Sequence, residues 1–340
     1  MNKPNCFFYG TLVLAAAVAV SFATLRAWRA EAKRRYSVPI LMYHEIGATA
    51  NSPWCVPEET FRAQIACLKE QGFQTILPAD LGAHFRRGKP LPRKPIILTF
   101  DDGYLSNLKI VEPILKEHGF RAMVYLITSQ VSETPERRYT YEGKPCLTWP
   151  EALAMQKRRV IAFGGHAHNH NNLALDDKAA FQIAECFRQL TLHGICPPYS
   201  FCYPHGQQNQ ETRRLVRETG FQTAVVCEDA VAEIRPSGDL FALPRVSVMG
   251  GKHDFRLVSG DIDIEKQTLA GRIMHSGIPI EISAGLCLRG QEPIWLPPRE
   301  IANGEFELRF VLPEKISRDA IERIEIRDKY RLFKLATINQ

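Results

Sequence analysis

The chain has 340 residues, 45% of them hydrophobic and 24% charged, with a formal net charge of +6. These proportions are those of globular proteins and exclude a disordered or low-complexity chain. The positive balance sits at the N-terminus: residues 1–35 hold six basic residues and one acidic residue, and without them the formal charge is +1, which argues against nucleic-acid binding by the body of the protein.

Cys6 to Leu25 is a run of twenty uncharged, mostly apolar residues. At ~1.5 Å per residue it is long enough to cross a ~30 Å hydrocarbon core. Residues 6–25 therefore read as a membrane-spanning helix, and residues 1–35 as an anchor with a basic linker. A cleavable signal is the alternative, with Ala30-Glu31-Ala32 a poor exit because Arg26 and Arg29 precede it. Arg26, Arg29, Lys33, Arg34 and Arg35 against Glu31 follow the span, so the positive-inside rule points the body towards the cytoplasm. The nine cysteines are scattered and show no CxxC spacing, which argues against a thiolate zinc site or a redox pair.

Val38 to Glu45 is an apolar strand whose end carries His44. Pro57 to Gln71 has Phe61, Ile65 and Leu68 at helical spacing and is closed by Gly72. Phe73 to Leu77 is a strand, and Ala79 to Arg87 a short helix. Pro95 to Phe100 is a buried strand running into Asp101-Asp102-Gly103. Two adjacent carboxylates at the edge of an apolar core repel each other unless a positive group sits beside them, and a metal ion meets that need. An Asp-Gly turn capping the next helix accounts for the pair as well.

Leu105 to His118 is helical, Phe120 to Thr128 a buried strand, and 129–147 a long polar surface loop. Thr148-Trp149-Pro150-Glu151 has the form of a capping box and starts a helix to about Arg159. Val160 to Phe163 is a strand leading to His166-Ala167-His168-Asn169-His170. Asp176 to His193 is a helix, Tyr199 to Tyr203 a strand ending at Pro204-His205-Gly206, and Gln210 to Thr219 a helix. Phe221 to Cys227 and Phe241 to Val248 are the last strands of this part. Strands alternating with helices predict a parallel α/β sheet, open or closed into a barrel. His44, the Asp pair, His166 to His170 and His205 all follow strand ends, where such folds place active sites.

From about Lys252 the pattern changes to period-two segments, such as Phe306, Leu308, Phe310 and Leu312 against Glu305, Glu307 and Arg309. That predicts a small antiparallel β domain over 251–340, behind a barrel over 36–250.

His166 and His170, four apart, can hold a transition metal on one side of a turn, although a histidine-rich loop can also be a solvated one. With one carboxylate of the Asp pair they form a two-His, one-Asp set of hydrolytic type, and the second Asp is placed to act as general base.

Thr99-Phe100-Asp101-Asp102-Gly103 resembles the first signature of the polysaccharide deacetylases, the NodB-homology group of carbohydrate esterase family four. His166-Ala167-His168-Asn169-His170 is similar to the second, and Phe201-Cys202-Tyr203-Pro204-His205-Gly206 to the third. The resemblance covers roughly 36–250 and implies a distorted (β/α) barrel with a divalent metal, most often zinc. It implies Asp101 as general base and Asp102, His166 and His170 as metal ligands. Leu41-Met42-Tyr43-His44 resembles the acid-bearing element moved to the front, as in the circularly permuted poly-N-acetylglucosamine deacetylases, which makes His44 the candidate general acid. Tyr203, Pro204 and Arg245 are the candidate oxyanion and substrate residues, and pairing with Asp101 is a further role open to Arg245.

The chain departs from the family at Ala167, where Ser or Thr is usual. It also lacks the arginine that begins the third signature and the Trp-containing fourth signature. The reaction implied is hydrolysis of the N-acetyl amide of a sugar in a polysaccharide or glycoconjugate, by an enzyme anchored in the cell envelope with its body periplasmic or extracellular, the cytoplasmic side staying open. Two other readings stand beside it: a membrane-tethered saccharide-binding protein without catalysis, and a deacylase of a lipid-linked sugar. The sequence names no protein partner.

Overall fold

The computed structural model describes residues 36–47, 52–235, 238–250, 256–263, 268–275, 280–295, 299–301, 304–311, 320–328 and 334–339. Its elements follow the alternation of apolar runs. They are β1 (Ile40–Tyr43), α1 (Glu58–Glu70), β2 (Gln74–Thr75), α2 (Pro78–Arg87), β3 (Pro95–Phe100), α3 (Glu112–His118), β4 (Ala122–Leu126), α4 (Trp149–Arg158), β5 (Ile161–Gly165), α5 (Ala179–Leu192), β6 (Ser200–Cys202), α6 (Gln210–Thr219), β7 (Thr223–Asp229) and β8 (Leu243–Ser247).

Strands β3, β4, β5, β6, β7, β8 and β1 lie side by side and parallel. β1 pairs back onto β3 from Ile40 opposite Ile97 to Tyr43 opposite Phe100. Seven parallel strands thus close into a barrel, with β2 added beside the first residues of β3. Parallel neighbours require long crossovers, which the helices supply. The crossover from β7 to β8 has no helix; it carries Ala232–Ile234, paired antiparallel with Tyr36–Val38.

The period of two along each strand sorts side chains between two apolar layers. Ile40, Ile97, Met123, Tyr125, Cys202, Val225 and Leu243 pack together as one cluster inside the ring. Leu41, Tyr43, Leu98, Phe100, Val124 and Leu126 belong to the larger cluster beneath the helices. Thr99 and Asp101 continue the inward line of Ile97, and Arg245 that of Leu243, so strand period alone brings these polar groups to the barrel axis.

Local signals hold in detail at α4, where the Thr148 N–H donates to Glu151 Oε2 at 2.9 Å in a capping box. Elsewhere the structure differs. The helix expected from Leu105 opens as a π-helical turn, Asn107–Val111, before α3, and α5 starts at Ala179, not Asp176. The strand expected over Val38 to Glu45 is three short pieces, because its third part, Glu45–Gly47, leaves the barrel to pair with Cys55–Pro57. The expected surface loop 129–147 contains a hairpin, Thr140–Tyr141 against Lys144–Pro145.

Beyond the barrel, β9 (Arg256–Asp263), β10 (Thr268–His275), β11 (Ile280–Leu288), β12 (Gly304–Val311), β13 (Ile321–Asp328) and β14 (Lys334–Asn339) pair antiparallel, β10 between β9 and β12, and β13 between β11 and β14. The expected membrane span, residues 6–25, lies outside the described residues. Among the described residues no helix is long and apolar enough to cross a membrane.

Candidate active site

The carboxyl ends of the parallel strands converge on one mouth. Asp101 and Asp102 follow β3, His44 follows β1, His166 follows β5, and Arg245 reaches in from the middle of β8. Both aspartates are buried, at 1% and 5% exposure. They nevertheless have opposite environments.

Asp101 faces the barrel axis. Arg245 Nη1 donates to its Oδ1 and Arg245 Nη2 to its Oδ2, each at 2.8 Å. The guanidinium, itself fully buried, is completed by the Thr99 hydroxyl at 3.0 Å and the Val226 carbonyl at 3.0 Å. Burial works to raise the Asp101 carboxyl, but the Arg245 charge and its hydrogen bonds override this and hold it well below the usual carboxylate range. The Cys202 thiol lies 3.6 Å from Asp101 Oδ2 and 3.2 Å from Arg245 Nη2.

Asp102 turns the other way, with its backbone in the left-handed region at φ 70°. Its Oδ1 is buried and has no hydrogen-bond partner. It lies 3.6 Å from His166 Nε2 and 3.7 Å from His170 Nε2, and those two nitrogens are 3.1 Å apart. Burial, reinforced by the charge of Asp101, pushes the Asp102 carboxyl up to about 8. Burial pushes His170 down to about 2 and lowers His166 in the same direction. Six non-glycine residues among those described have positive φ, and four of them, Asp102, Ala167, His170 and His205, lie at this mouth. Such conformations cost about 1–3 kcal/mol each and concentrate where a site needs them.

The tautomer of His166 follows from its hydrogen bond. His166 Nδ1–H donates to the Cys202 carbonyl at 2.8 Å, so its Nε2 carries the lone pair. His170 Nδ1 bonds the Tyr141 hydroxyl at 2.8 Å, and when that hydroxyl accepts from Nδ1–H the His170 Nε2 carries its lone pair as well. Two imidazole Nε2 atoms and a partnerless carboxylate oxygen therefore converge on one point. Donors held at ~2.0–2.2 Å around a tetrahedral ion stand about 3.3–3.5 Å from one another, and the three separations here bracket that value. The set fits a divalent metal in size, charge and ligand type. His168 is not part of it: its Nδ1 bonds Thr128 at 3.0 Å and its ring packs against Phe181.

His44 Nε2 is 3.9 Å from Asp101 Oδ2, and its ring packs on Trp54 with centroids 4.6 Å apart. Burial lowers its pKa to about 4, against the attraction of Asp101, so it is neutral at pH 7.

The structure places the three residues expected to serve the oxyanion and substrate as follows. The Tyr203 N–H is spent in the sheet, donating to the Val225 carbonyl at 3.2 Å, and its ring packs edge-on against Phe201. Pro204 is buried and has no N–H to offer. Arg245 has no exposed surface with which to meet a substrate and is committed to Asp101. In that part of the mouth the structure instead exposes His205, whose ring lies 4.6 Å from that of His170. Its place directly after a strand end was visible in the sequence. Tyr141 and Trp54 had no such signal, since Tyr141 lies in a two-residue strand and Trp54 in a turn, both too short to show a period.

A polysaccharide deacetylase family model matches residues 88–224. The chain is 29% identical over 225 residues to YxkH of Bacillus subtilis, covering 63% of this chain and 72% of that one. It is 24% identical over 255 residues to the poly-β-1,6-N-acetyl-D-glucosamine N-deacetylase of Escherichia coli K12, a span of 65% of this chain but only 37% of the E. coli protein. The barrel superposes on the Streptococcus pyogenes deacetylase PplD in complex with acetate with a TM-score of 0.56 at 22% identity, over 64% of this chain and 94% of that one. On IcaB from Ammonifex degensii the TM-score is 0.53 at 23% identity, over 62% and 91% of the two chains. The two superpositions carry the fold, and the sequence matches carry the descent. The chain contains a polysaccharide deacetylase domain, homologous to the poly-β-1,6-N-acetyl-D-glucosamine N-deacetylases.

Proposed function

We propose that this barrel is a metal-dependent carbohydrate N-deacetylase that hydrolyses the N-acetyl amide of an N-acetylglucosamine-type polymer. The observation that carries the reading is the partnerless Asp102 Oδ1 facing the Nε2 atoms of His166 and His170, one residue from a second carboxylate clamped by Arg245. Asp102, His166 and His170 would hold the metal, with zinc the expected ion. A divalent ion there supplies Lewis-acid polarisation of the acetyl carbonyl and acidifies water.

The chain's own groups divide the proton work. Asp101, kept ionised by Arg245, takes the proton of the attacking water. Its low basicity suits water that has already been acidified. His44, neutral at pH 7, receives a proton during turnover, and Asp101 Oδ2 at 3.9 Å is the near source. It then protonates the departing amine. The Arg245 clamp fixes the direction in which Asp101 presents its remaining lone pairs.

A binding protein without catalysis has no use for a carboxylate held ionised beside a histidine, which favours the enzyme over the purely binding reading. We also propose that residues 1–35 anchor the protein in the membrane with the barrel on the outer side, and that 251–340 form an accessory β domain. A reporter fused to the C-terminus tests the orientation. The reaction is tested by acetate release from a panel of N-acetylated glycans, before and after chelation and after zinc is restored. Release that stops on chelation and returns with zinc is the expected result. No release from any glycan with zinc restored would overturn the proposal.

A further inference from the structure

The segment Tyr139 to Leu147 is bound to the residues that directly follow the two aspartates. Leu105 N–H donates to the Pro145 carbonyl at 2.8 Å, Leu147 N–H donates to the Gly103 carbonyl at 2.9 Å, and Tyr104 pairs with Cys146 between them. Within the segment, Tyr141 stands opposite Lys144 across the hairpin, so both side chains leave on one face. The turn between them, Glu142 and Gly143, lies in the left-handed region. From that face the two side chains reach opposite walls of the site. Tyr141 Oη is 2.8 Å from His170 Nδ1, and Lys144 Nζ is 2.8 Å from Glu45 Oε2, next to His44. Lys144 also lies 5.2 Å from the centroid of the Tyr104 ring, which holds it over the same wall.

We propose that Tyr141 is a positioning residue for His170 and thereby sets how tightly Asp102, His166 and His170 take a divalent metal. The inference rests on the metal reading given above. A neutral imidazole can carry its proton on either nitrogen, and it binds a metal through Nε2 only with the proton on Nδ1. His166 is locked in that tautomer by a backbone carbonyl inside the barrel. His170 has no backbone partner of that kind; its Nδ1 is bonded to the Tyr141 hydroxyl, delivered from outside the barrel, which accepts from Nδ1–H in the metal-binding tautomer. Without the hydroxyl the Nδ1–H that metal binding requires loses its acceptor, and the ring loses the contact that aims Nε2 at Asp102. Partners of this kind typically contribute 10- to 100-fold to metal affinity. The Lys144–Glu45 pair fastens the hairpin that presents the hydroxyl.

The test is zinc affinity of the full chain by competition with a chromophoric chelator, together with melting of the metal-free protein. Tyr141→Phe is expected to weaken zinc binding about 10- to 100-fold and leave the metal-free melting point in place. Wild-type zinc affinity in Tyr141→Phe, alongside lost affinity in His170→Ala, would overturn the proposal and leave the metal site standing. Undiminished affinity in His170→Ala would instead overturn the metal site itself. Should Tyr141→Phe also lower the metal-free melting point, Lys144→Met decides the matter, because it frees the hairpin from Glu45 and keeps the hydroxyl. Affinity near wild type in Lys144→Met supports the proposal, and a loss equal to that of Tyr141→Phe overturns it.

Discussion

Arg245 grips Asp101 with both terminal nitrogens of its guanidinium, at 2.8 Å to each carboxylate oxygen, and the two side chains are 0% and 1% exposed. The residues are 144 positions apart in the chain, and the closure of the barrel between β8, β1 and β3 makes them neighbours. The site is built around this pair, because it keeps one carboxylate charged in an apolar interior while the adjacent one faces His166 and His170.

Breaking that pair from the arginine side should be costly. Arg245→Met strands a buried carboxylate, and a loss of about 3–5 kcal/mol is expected. The double variant Arg245→Met with Asp101→Leu should recover part of that loss, since no charge is then left unpaired. Denaturant unfolding of the two variants measures the difference, and equal stability of the single variant and wild type would refute the account.

The two aspartates should separate cleanly. Asp101→Asn is expected to lower kcat by at least ~10³-fold while zinc content stays near one per chain, whereas Asp102→Asn should lose the metal along with activity. Metal analysis beside turnover checks both, and loss of zinc in Asp101→Asn would reverse the assignment.

His44 should leave a mark on acid stability. Its pKa is about 4 in the folded chain and 6.5 ordinarily, so between those values the unfolded chain binds the extra proton. The stability that neutral His44 permits is therefore complete above pH 6.5 and is lost as pH falls towards 4. Relative to His44→Gln, the metal-free wild type should weaken over that window by on the order of 2–3 kcal/mol. Parallel pH curves for the two proteins would contradict this. In turnover, His44→Ala should cost about 10²- to 10⁴-fold in kcat.

Gly103 tests the backbone under the site. Its φ is 79°, and an added Cβ would lie 2.6 Å from Leu126 Cδ2. The leucine terminus can move aside, but the left-handed backbone cannot be relieved without shifting Asp102. Gly103→Ala is expected to cost about 1–3 kcal/mol in stability and to weaken zinc binding, read by melting and chelator competition.

The alternation of strands and helices, and the grouping of His166 and His170 with one carboxylate of the Asp pair, were legible from the chain, and the family resemblance named that carboxylate as Asp102. Each is a local property: strand period decides which face a residue takes, and His166 and His170 share one turn. Tertiary structure decided who stands beside whom. Nothing local in Leu243-Pro244-Arg245 says that its guanidinium lies on Asp101, because that depends on which strands close the ring. The same holds for Tyr203, whose N–H is committed to Val225 by the register of β6 and β7, and for Tyr141, which reaches His170 because its hairpin is stitched to Gly103 and Leu105. Sequence period carries one-dimensional information about faces, whereas these partnerships arise from long-range strand order and hydrogen bonds across it.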